Sequence, residues 1–424
     1  MNLLKKLFAF SIILFPLFSC LITENDFKSG SDTLSLIDAP WTEDTTFWNK
    51  TDNFSVQSMA VDSSGNIFTA GSGLNLINEN SNSDGWIRQF DSNGYEDTQN
   101  WNKHIGAEDN GNDYIYSVAI DTNDNIYVCG VIQSSSDSAY AIIKKYDLTG
   151  NEDTQNWNKS LTGNYGSDIK LHIDQNNDVY FYGTLPNLVS QNSQRDIIIK
   201  KFDENGHEYT TWDKKINGND ANDSILSLVS IEENNTINIY TAGFGENIIS
   251  ANSGKNWWLK KYDTSGNENT MQWNKKLAIT GECRQIIISG NELYFLGTGN
   301  NEADENSLTD LIIKKFTSEG SEISEWNKSV DYLNSNNTGT GFLQTDGNLV
   351  IISNQEIALN NYWKITEYNS YGYETDNSWE TIFPDNGLPG NVIQGIRASN
   401  TEIYLIGQME SAAQVNWIKK YLRR

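Results

Sequence analysis

Spaced Asp, Asn and Gly residues recur along the chain, as in Asp147-Leu148-Thr149-Gly150-Asn151-Glu152-Asp153. Carboxylates at such spacing can hold calcium, but a full calcium loop needs a longer ligand set closed by a bidentate carboxylate. These runs suit a tight hairpin instead, with Asp147 capping the turn and Gly150 at positive φ. Lysine doublets are a second motif: Lys144–Lys145, Lys200–Lys201, Lys260–Lys261, Lys314–Lys315 and Lys419–Lys420. They suggest a polyanion site. Adjacent strand residues point to opposite faces, however, so a doublet makes no single patch. Local pairing is expected, Lys145 with Glu152 and Lys201 with Glu208, worth about 0.2–1 kcal/mol each. Their stems are expected to cover the Trp rings. The histidines, His104, His172 and His207, are scattered. No HExxH, GxSxG or P-loop occurs, and no His/Cys cluster has metal-ligand spacing. Cys129 and Cys283 lack a CxxC context and read as small buried hydrophobes. The motifs therefore predict no catalytic pair, no metal and no cofactor.

The N-terminus predicts the compartment. Lys5 and Lys6 form a basic n-region, and Leu7 to Phe18 an apolar h-region too short to span a bilayer with margin. Leu17, Ser19 and Cys20 resemble a bacterial lipobox, with Phe18 in a slot that usually holds a smaller residue. The resemblance implies cleavage before Cys20 and diacylation of its thiol, with two or three acyl chains (palmitate among them) as a stable anchor. Residues 1–19 are then a signal peptide and 20–40 a lipidated Cys with a polar tether. The net charge of −26 becomes more negative when two lysines leave with the signal. Such a surface repels nucleic acid and anionic membrane. Trp, Tyr and Phe reach 12 %, which argues for a packed core rather than disorder.

Internal repeats define the rest. Trp48, Trp101, Trp157, Trp212, Trp273, Trp326 and Trp379 recur every 53–61 residues. A second ladder is Phe90, Tyr146, Phe202, Tyr262, Phe316, Tyr368 and Tyr421. A third is Gly71, Gly130, Gly183, Gly243, Gly297 and Gly407, with Ser353 at the sixth place. Each unit reads as four short strands rich in Val, Ile, Tyr and Trp, punctuated by Asp, Asn and Gly. Seven such units predict an all-β fold, one seven-bladed β-propeller over 41–424. The last unit, "NWIKKYLRR", stops before its turn and fourth strand. "WTEDTTFWNK" at 41–50 supplies both, with Glu43 five residues before Trp48 as Glu96 precedes Trp101. The N-terminal strand is thus expected to complete the last blade and close the ring, which removes an exposed sheet edge.

The units "VAIDTNDNIYVCG" and "IIKKYDLTGNEDTQNW" resemble the bacterial seven-bladed propeller repeat (SBBP-type) of secreted proteins and lipoproteins. That resemblance implies the fold, not an activity. "YDLTGNEDTQNW" also resembles the tryptophan-docking repeat of quinoproteins, though those enzymes usually have eight blades and an adjacent Cys pair that is missing here. The expected function is non-catalytic binding or scaffolding at the envelope, in the outer membrane or at the cell surface, by a monomer. Its partners are the lipid bilayer through Cys20 and an unknown protein or glycan. The alternatives are an outer-membrane assembly scaffold, or a propeller enzyme acting on glycans or using a quinone. Loops between second and third strands vary while the strands repeat, so binding is expected there. Loops 72–85 and 244–256 are the first candidates, through Asn75, Asn78, Asp84, Asn247, Asn252 and Trp257. Mass spectrometry of native protein should find Cys20 lipid-modified at a mature N-terminus; an unmodified Cys20 inside a soluble product would exclude the anchor.

Overall fold

The computed structural model describes residues 41–44, 50–52, 55–79, 82–107, 111–134, 139–163, 165–166, 168–189, 194–218, 222–250, 255–300, 309–330, 338–343, 347–357, 360–376, 379–381, 390–397, 401–409 and 415–423. Cys20 and Trp48 lie outside them. The protein is all-β, with seven antiparallel sheets in chain order. Blade 1 contains Ser55–Val61, Ile67–Leu74, Ser83–Phe90 and Lys103–Ile105. The first strands of blades 2 to 7 are Asp113–Ile120, Lys170–Ile173, Ser224–Glu233, Gly281–Ser289, Thr338–Leu343 and Gly390–Arg397. They pack blade against blade around the ring, including blade 7 against blade 1.

Blade 7 draws on both ends of the described chain. Its third strand, Val415–Arg423, pairs with Trp41–Glu43 and with Lys50–Asp52. Lys50 lies opposite Ile418 just as Lys103 lies opposite Ile87 in blade 1. Glu43 lies opposite Tyr421 as Glu152 lies opposite Tyr146.

The ladders explain the packing. Trp101, Trp157, Trp212, Trp273 and Trp326 are buried between blades. Each indole N–H donates to a backbone carbonyl in the next blade's turn: Leu148 (2.9 Å), Glu204 (2.9 Å), Thr264 (2.7 Å), Ser318 (2.7 Å) and Ser370 (3.1 Å). Those turns are hairpins, with Gly150, Gly206, Gly266, Gly320 and Gly372 at φ of 77–91°. In the turn after the third strand of blade 2, Asp147 Oδ1 accepts the backbone N–H groups of Thr149 and Asn151, both at 2.9 Å. Burial works against its charge, but these donors outweigh burial and hold the carboxyl below its usual range.

The Gly ladder marks close backbone approach. A Cβ at Gly71 would lie 1.7 Å from Ser55 O, and one at Gly130 would lie 2.1 Å from Tyr114 O. In blade 6 the small residue sits on the other strand, because Ser353 faces Gly339.

The lysine pairing differs from expectation. Lys144 and Lys200, not Lys145 and Lys201, meet Glu152 and Glu208, each at 2.5 Å. The Tyr146–Glu152 bridge places Glu152 on the face of Tyr146, which Lys144 shares two residues earlier. Equivalent pairs recur in four more blades, Arg88–Glu96, Lys260–Glu268, Lys314–Glu322 and Lys419–Glu43; in blade 6 Thr366 takes the lysine's place, and Lys364, two residues earlier, meets Glu374 instead. The second lysines turn the other way. Lys145, Lys201, Lys261, Lys315 and Lys420 lie 4.9–5.4 Å above Tyr127, Tyr180, Tyr240, Tyr294 and Tyr404. The rings they cover are thus chiefly tyrosines of the second strands rather than the Trp ladder.

Deleting residues 41–52 removes two strands from blade 7. At about 0.5–1.5 kcal/mol per hydrogen bond lost, the midpoint of cooperative urea unfolding, followed by circular dichroism, should fall. An unchanged midpoint would show that these strands do not support the ring.

Candidate functional site

Strand direction places the starts of the first and third strands, and the long loops, on one end of the ring. The inner strands there are irregular. A β-bulge interrupts the first strand after Val56, Ile115, Ile225, Cys283 and Val392. The extra residue is Gln57, Tyr116, Leu226, Arg284 or Ile393. A bulge re-aims its extra side chain. Gln57, Tyr116 and Leu226 are half-buried and Arg284 is exposed, on strands that line the centre of the ring.

The next residue is a latch. Ser58, Ser117 and Ser227 accept the backbone N–H groups of Val118, Leu171 and Ile286 in the following blade, at 3.2, 3.2 and 3.0 Å. Gln285 accepts from Gly341 at 2.9 Å, and Gln394 from Met59 at 3.0 Å. In blade 3 the latch is Lys170, whose Nζ donates to Leu226 O of blade 4 at 2.9 Å. Burial holds the Lys170 ammonium below its ordinary pKa, and Arg284 of blade 5 adds to the effect while Asp168 opposes it.

Asp168 and Lys170 of blade 3 interact electrostatically or by hydrogen bond with groups of blades 2, 4 and 5. Tyr114 and Tyr116 of blade 2 stack at 5.8 Å and 15°. Burial pushes the Tyr116 phenol up to about 12, with Tyr114 and Asp168 adding to it. Asp168 Oδ2 accepts from Arg195 Nη2 (2.8 Å), Thr184 Oγ1 (2.5 Å) and Ser224 Oγ (3.1 Å). Asp168 Oδ1 is buried without a hydrogen-bond partner. A Cβ at Gly166 would come within 3.0 Å of that oxygen and of Arg195 Nη2. Arg284 Nη2 meets Glu282 Oε2 at 2.7 Å. The set offers cations, hydroxyls and aromatic faces together, the mixture that binds polar ligands in clefts.

The loop residues singled out from sequence do not converge here. Asn75 and Asn247 take φ of 56° and 58° and shape their loops. Asn78 is exposed. Asp84 is buried, and its Oδ2 accepts the N–H groups of Leu76 (2.6 Å) and Ile77 (3.0 Å), so it ties the loop down instead of presenting a ligand group. Asn252 lies outside the described residues. Trp257 is no surface anchor: it is buried between blades 4 and 5 and donates to Thr298 O at 3.0 Å. Trp258 is buried as well. Both faces of a blade are covered by neighbouring blades, so adjacent strand residues can both be core. Sequence reasoning missed Tyr114, Tyr116, Asp168, Lys170, Arg195 and Arg284. The available signal was that these inner positions differ between repeats that otherwise agree.

The other chemical groups stay apart. Burial pushes His172 down to about 4, and its Nε2 lies 2.8 Å from Ser230 Oγ. His207 is exposed beside Asp203, at 3.0 Å. Cys129 and Cys283 are buried free thiols, both pushed up by desolvation. Among the described residues, no three His, Cys, Asp or Glu side chains gather as a metal-holding group. His104 lines a cleft of about 380 Å³ between blades 1 and 2 with Tyr140, Lys144, Glu152 and Lys159. The Lys144–Glu152 pair there is one of the repeated pairs, so the cleft marks where blades splay apart.

A family model described as a beta-propeller repeat matches residues 101–136. No curated protein sequence matches the chain. Among solved structures, the chain is similar to a polysaccharide lyase, an ulvan lyase bound to -[GlcA(1-4)Rha3S]-. The identity is 10 % and the TM-score 0.52, over 89 % of this chain and 94 % of that one. It is also similar to an alpha-l-arabinofuranosidase from Fusarium graminearum, at 10 % identity and TM-score 0.45, over 73 % and 92 %. A third is the β-propeller domain of the Trilobed protease from Pyrococcus furiosus, at 10 % identity and TM-score 0.49, over 88 % and 93 %. At these identities the likeness is one of fold.

Asp223, at the start of blade 4, accepts the N–H groups of Gly218 (2.6 Å) and Glu246 (3.0 Å). Burial pushes its carboxyl up to about 6 against these two donors, with Asp196 and Glu246 adding to the rise. A folded pKa above the unfolded one stabilises below about pH 4, and that stability is lost as pH rises to about 6. Measured by urea unfolding, wild type should therefore lose on the order of 2 kcal/mol relative to Asp223→Asn between pH 4 and 6; parallel pH profiles would show that Asp223 titrates normally.

Proposed function

We propose that the protein is a lipid-anchored, non-catalytic binding propeller of the bacterial envelope, and that it holds a glycan at the centre of the ring on the long-loop end. One observation carries this reading. The Trp locks, Asp turns and Lys–Glu pairs repeat around the ring, whereas the bulge residues Gln57, Tyr116, Leu226 and Arg284 are all different. Their latches already account for packing, so these side chains are not required by the scaffold. The stacked pair Tyr114–Tyr116 suits a sugar ring, which packs its C–H face on an aromatic while hydroxyls reach nearby polar groups. The ulvan lyase of similar fold was seen with a glycan bound, which supports the reading at the level of fold.

A second reading is an enzyme acting on glycans. Lys170 favours it, because a lysine of lowered pKa beside Arg284 and Asp168 is a candidate proton acceptor.

Affinity electrophoresis of the full chain through gels holding laminarin, xylan, alginate or polygalacturonate separates these readings. Retention on at least one glycan is expected, with Tyr116→Ala releasing it and no reducing ends or unsaturated uronate formed. Turnover would establish the enzyme instead, and migration unaffected by every glycan would refute glycan binding.

A further inference from the structure

Resting on the lipid-anchored reading above, we propose that the hairpin-turn end of the ring docks beside blade 7 on the headgroups of a neutral lipid leaflet, through Tyr95, Tyr371, Tyr373 and Leu422. The turn position after the positive-φ Gly departs from the repeat there. In blades 2 to 5 it holds Asn151, His207, Asn267 and Ser321. In blades 1 and 6, the two neighbours of blade 7, it holds Tyr95 and Tyr373. The turn needs only the backbone at this position. Tyr95 and Tyr373 donate their N–H groups to Asp91 Oδ1 (2.9 Å) and Asn369 Oδ1 (3.0 Å), as Asn151 does to Asp147. Their side chains are 64 % and 71 % exposed, and Tyr371 in the same blade 6 turn is 79 % exposed. Leu422 of blade 7 is exposed between them. Both turns are held to that blade. Lys420 Nζ donates to Ser92 O in the blade 1 turn at 3.0 Å. Arg423 meets Glu367, next to Tyr368 where the blade 6 turn begins, at 3.3 Å.

The chain joins the ring at the same end. Trp41 lies opposite Arg423, at the turn end of the third strand of blade 7, and Lys50 lies further toward the long-loop end, opposite Ile418. The segment leading back to Cys20 therefore meets the ring between the two tyrosine-bearing turns. Residues 21–40 reach at most about 70 Å. That exceeds the depth of a blade, so the surfaces of the ring decide which end faces the bilayer. On a lead of this length a surface contact is intramolecular, and a patch too small to hold free protein suffices. Tyrosine suits headgroup depth, because its ring is apolar and its hydroxyl stays wet. Charge selects the lipid. The net charge is −26, and Asp91, Asp147 and Asp203 cap turns at this end, so an anionic leaflet repels the ring and a zwitterionic one does not. Among the described residues the exposed large apolar side chains of the long-loop end are Leu74 and Val189, in separate blades. Docking by the turns leaves that end facing away from the membrane.

The test places a fluorescent dye at either end of blade 1 in the full acylated chain, on Asn93→Cys in the turn or on Leu74→Cys beside the long loop, both exposed positions. Cys129 and Cys283 are buried, so the new thiol is labelled alone. The chains are reconstituted in phosphatidylcholine vesicles whose headgroups carry a nitroxide quencher. The dye on Asn93→Cys should be quenched several-fold more than the dye on Leu74→Cys, and phosphatidylglycerol should reduce the difference. Adding Tyr95→Ser, Tyr371→Ser and Tyr373→Ser should abolish the difference, while the chain still floats with the vesicles and its thermal unfolding is unchanged. Equal quenching at the two ends, quenching that survives the three serines, or quenching only with phosphatidylglycerol would overturn the docking and leave the anchor intact. An unquenched dye on Asn93→Cys together with a two-chain mass in detergent would assign the patch to a second copy instead. A chain that does not float with vesicles would remove the anchored reading, and the docking with it.

Discussion

The hydrogen bond from each buried indole to the next blade's turn is the constraint on which the rest of this molecule depends. It links the fourth strand of one blade to the third-strand hairpin of its neighbour, as in Trp157 to Glu204. The carbonyl is presented only if the hairpin closes tightly, which needs the Asp cap and a Gly at positive φ, such as Asp203 and Gly206. The Lys two residues after the Trp then lies over the same ring, as Lys159 does at 6.0 Å from Trp157. At the inner radius the Ser and Gln latches repeat the principle with side chain to backbone. Blades are thus joined twice, at the rim and at the centre, by polar groups that need a specific partner. Apolar packing alone would tolerate slippage between blades.

Much of this was legible in the sequence because it recurs. The Trp ladder, the aromatic ladder and the hairpin signature gave fold class and blade number directly. The facing of the lysines was not legible in the same way. It depends on whether Glu152 lies opposite Tyr146 or one residue along, and a shift of one residue reverses the face. Two of the loop candidates are placed otherwise than expected for a related reason. Asp84 and Trp257 sit next to variable segments yet belong to the strands, where burial decides their role. Tyr116 and Arg284 were hidden by the bulge, which inserts one residue and breaks the in-out alternation that sequence reading relies on.

Repetition and departure from it carry different information in such a molecule. The pair Lys144–Glu152 means little alone and much as one of six, because a shared role in the scaffold is then the simplest cause. Lys170 and Arg284 are informative for the opposite reason. Each stands where its counterparts in the described blades are uncharged. Glu367 is a further departure: it occupies the place of a second lysine, is fully buried, and meets Arg423 of blade 7 at 3.3 Å. That exchange of sign links blades 6 and 7 by an ion pair.

Blade 7 also sets a clock on synthesis. Residues 41–52 find their strand partners only in 415–423, the far side of six blades. At about 5–20 residues per second, the first strand made waits on the order of half a minute to a minute for its neighbour. Blades 1 to 6 can form their internal hairpins in that interval, since each is local in sequence. The last sheet cannot, so the ring stays open until residues 415–423 arrive. A molecule organised in this way acquires its rigidity when those two distant segments meet.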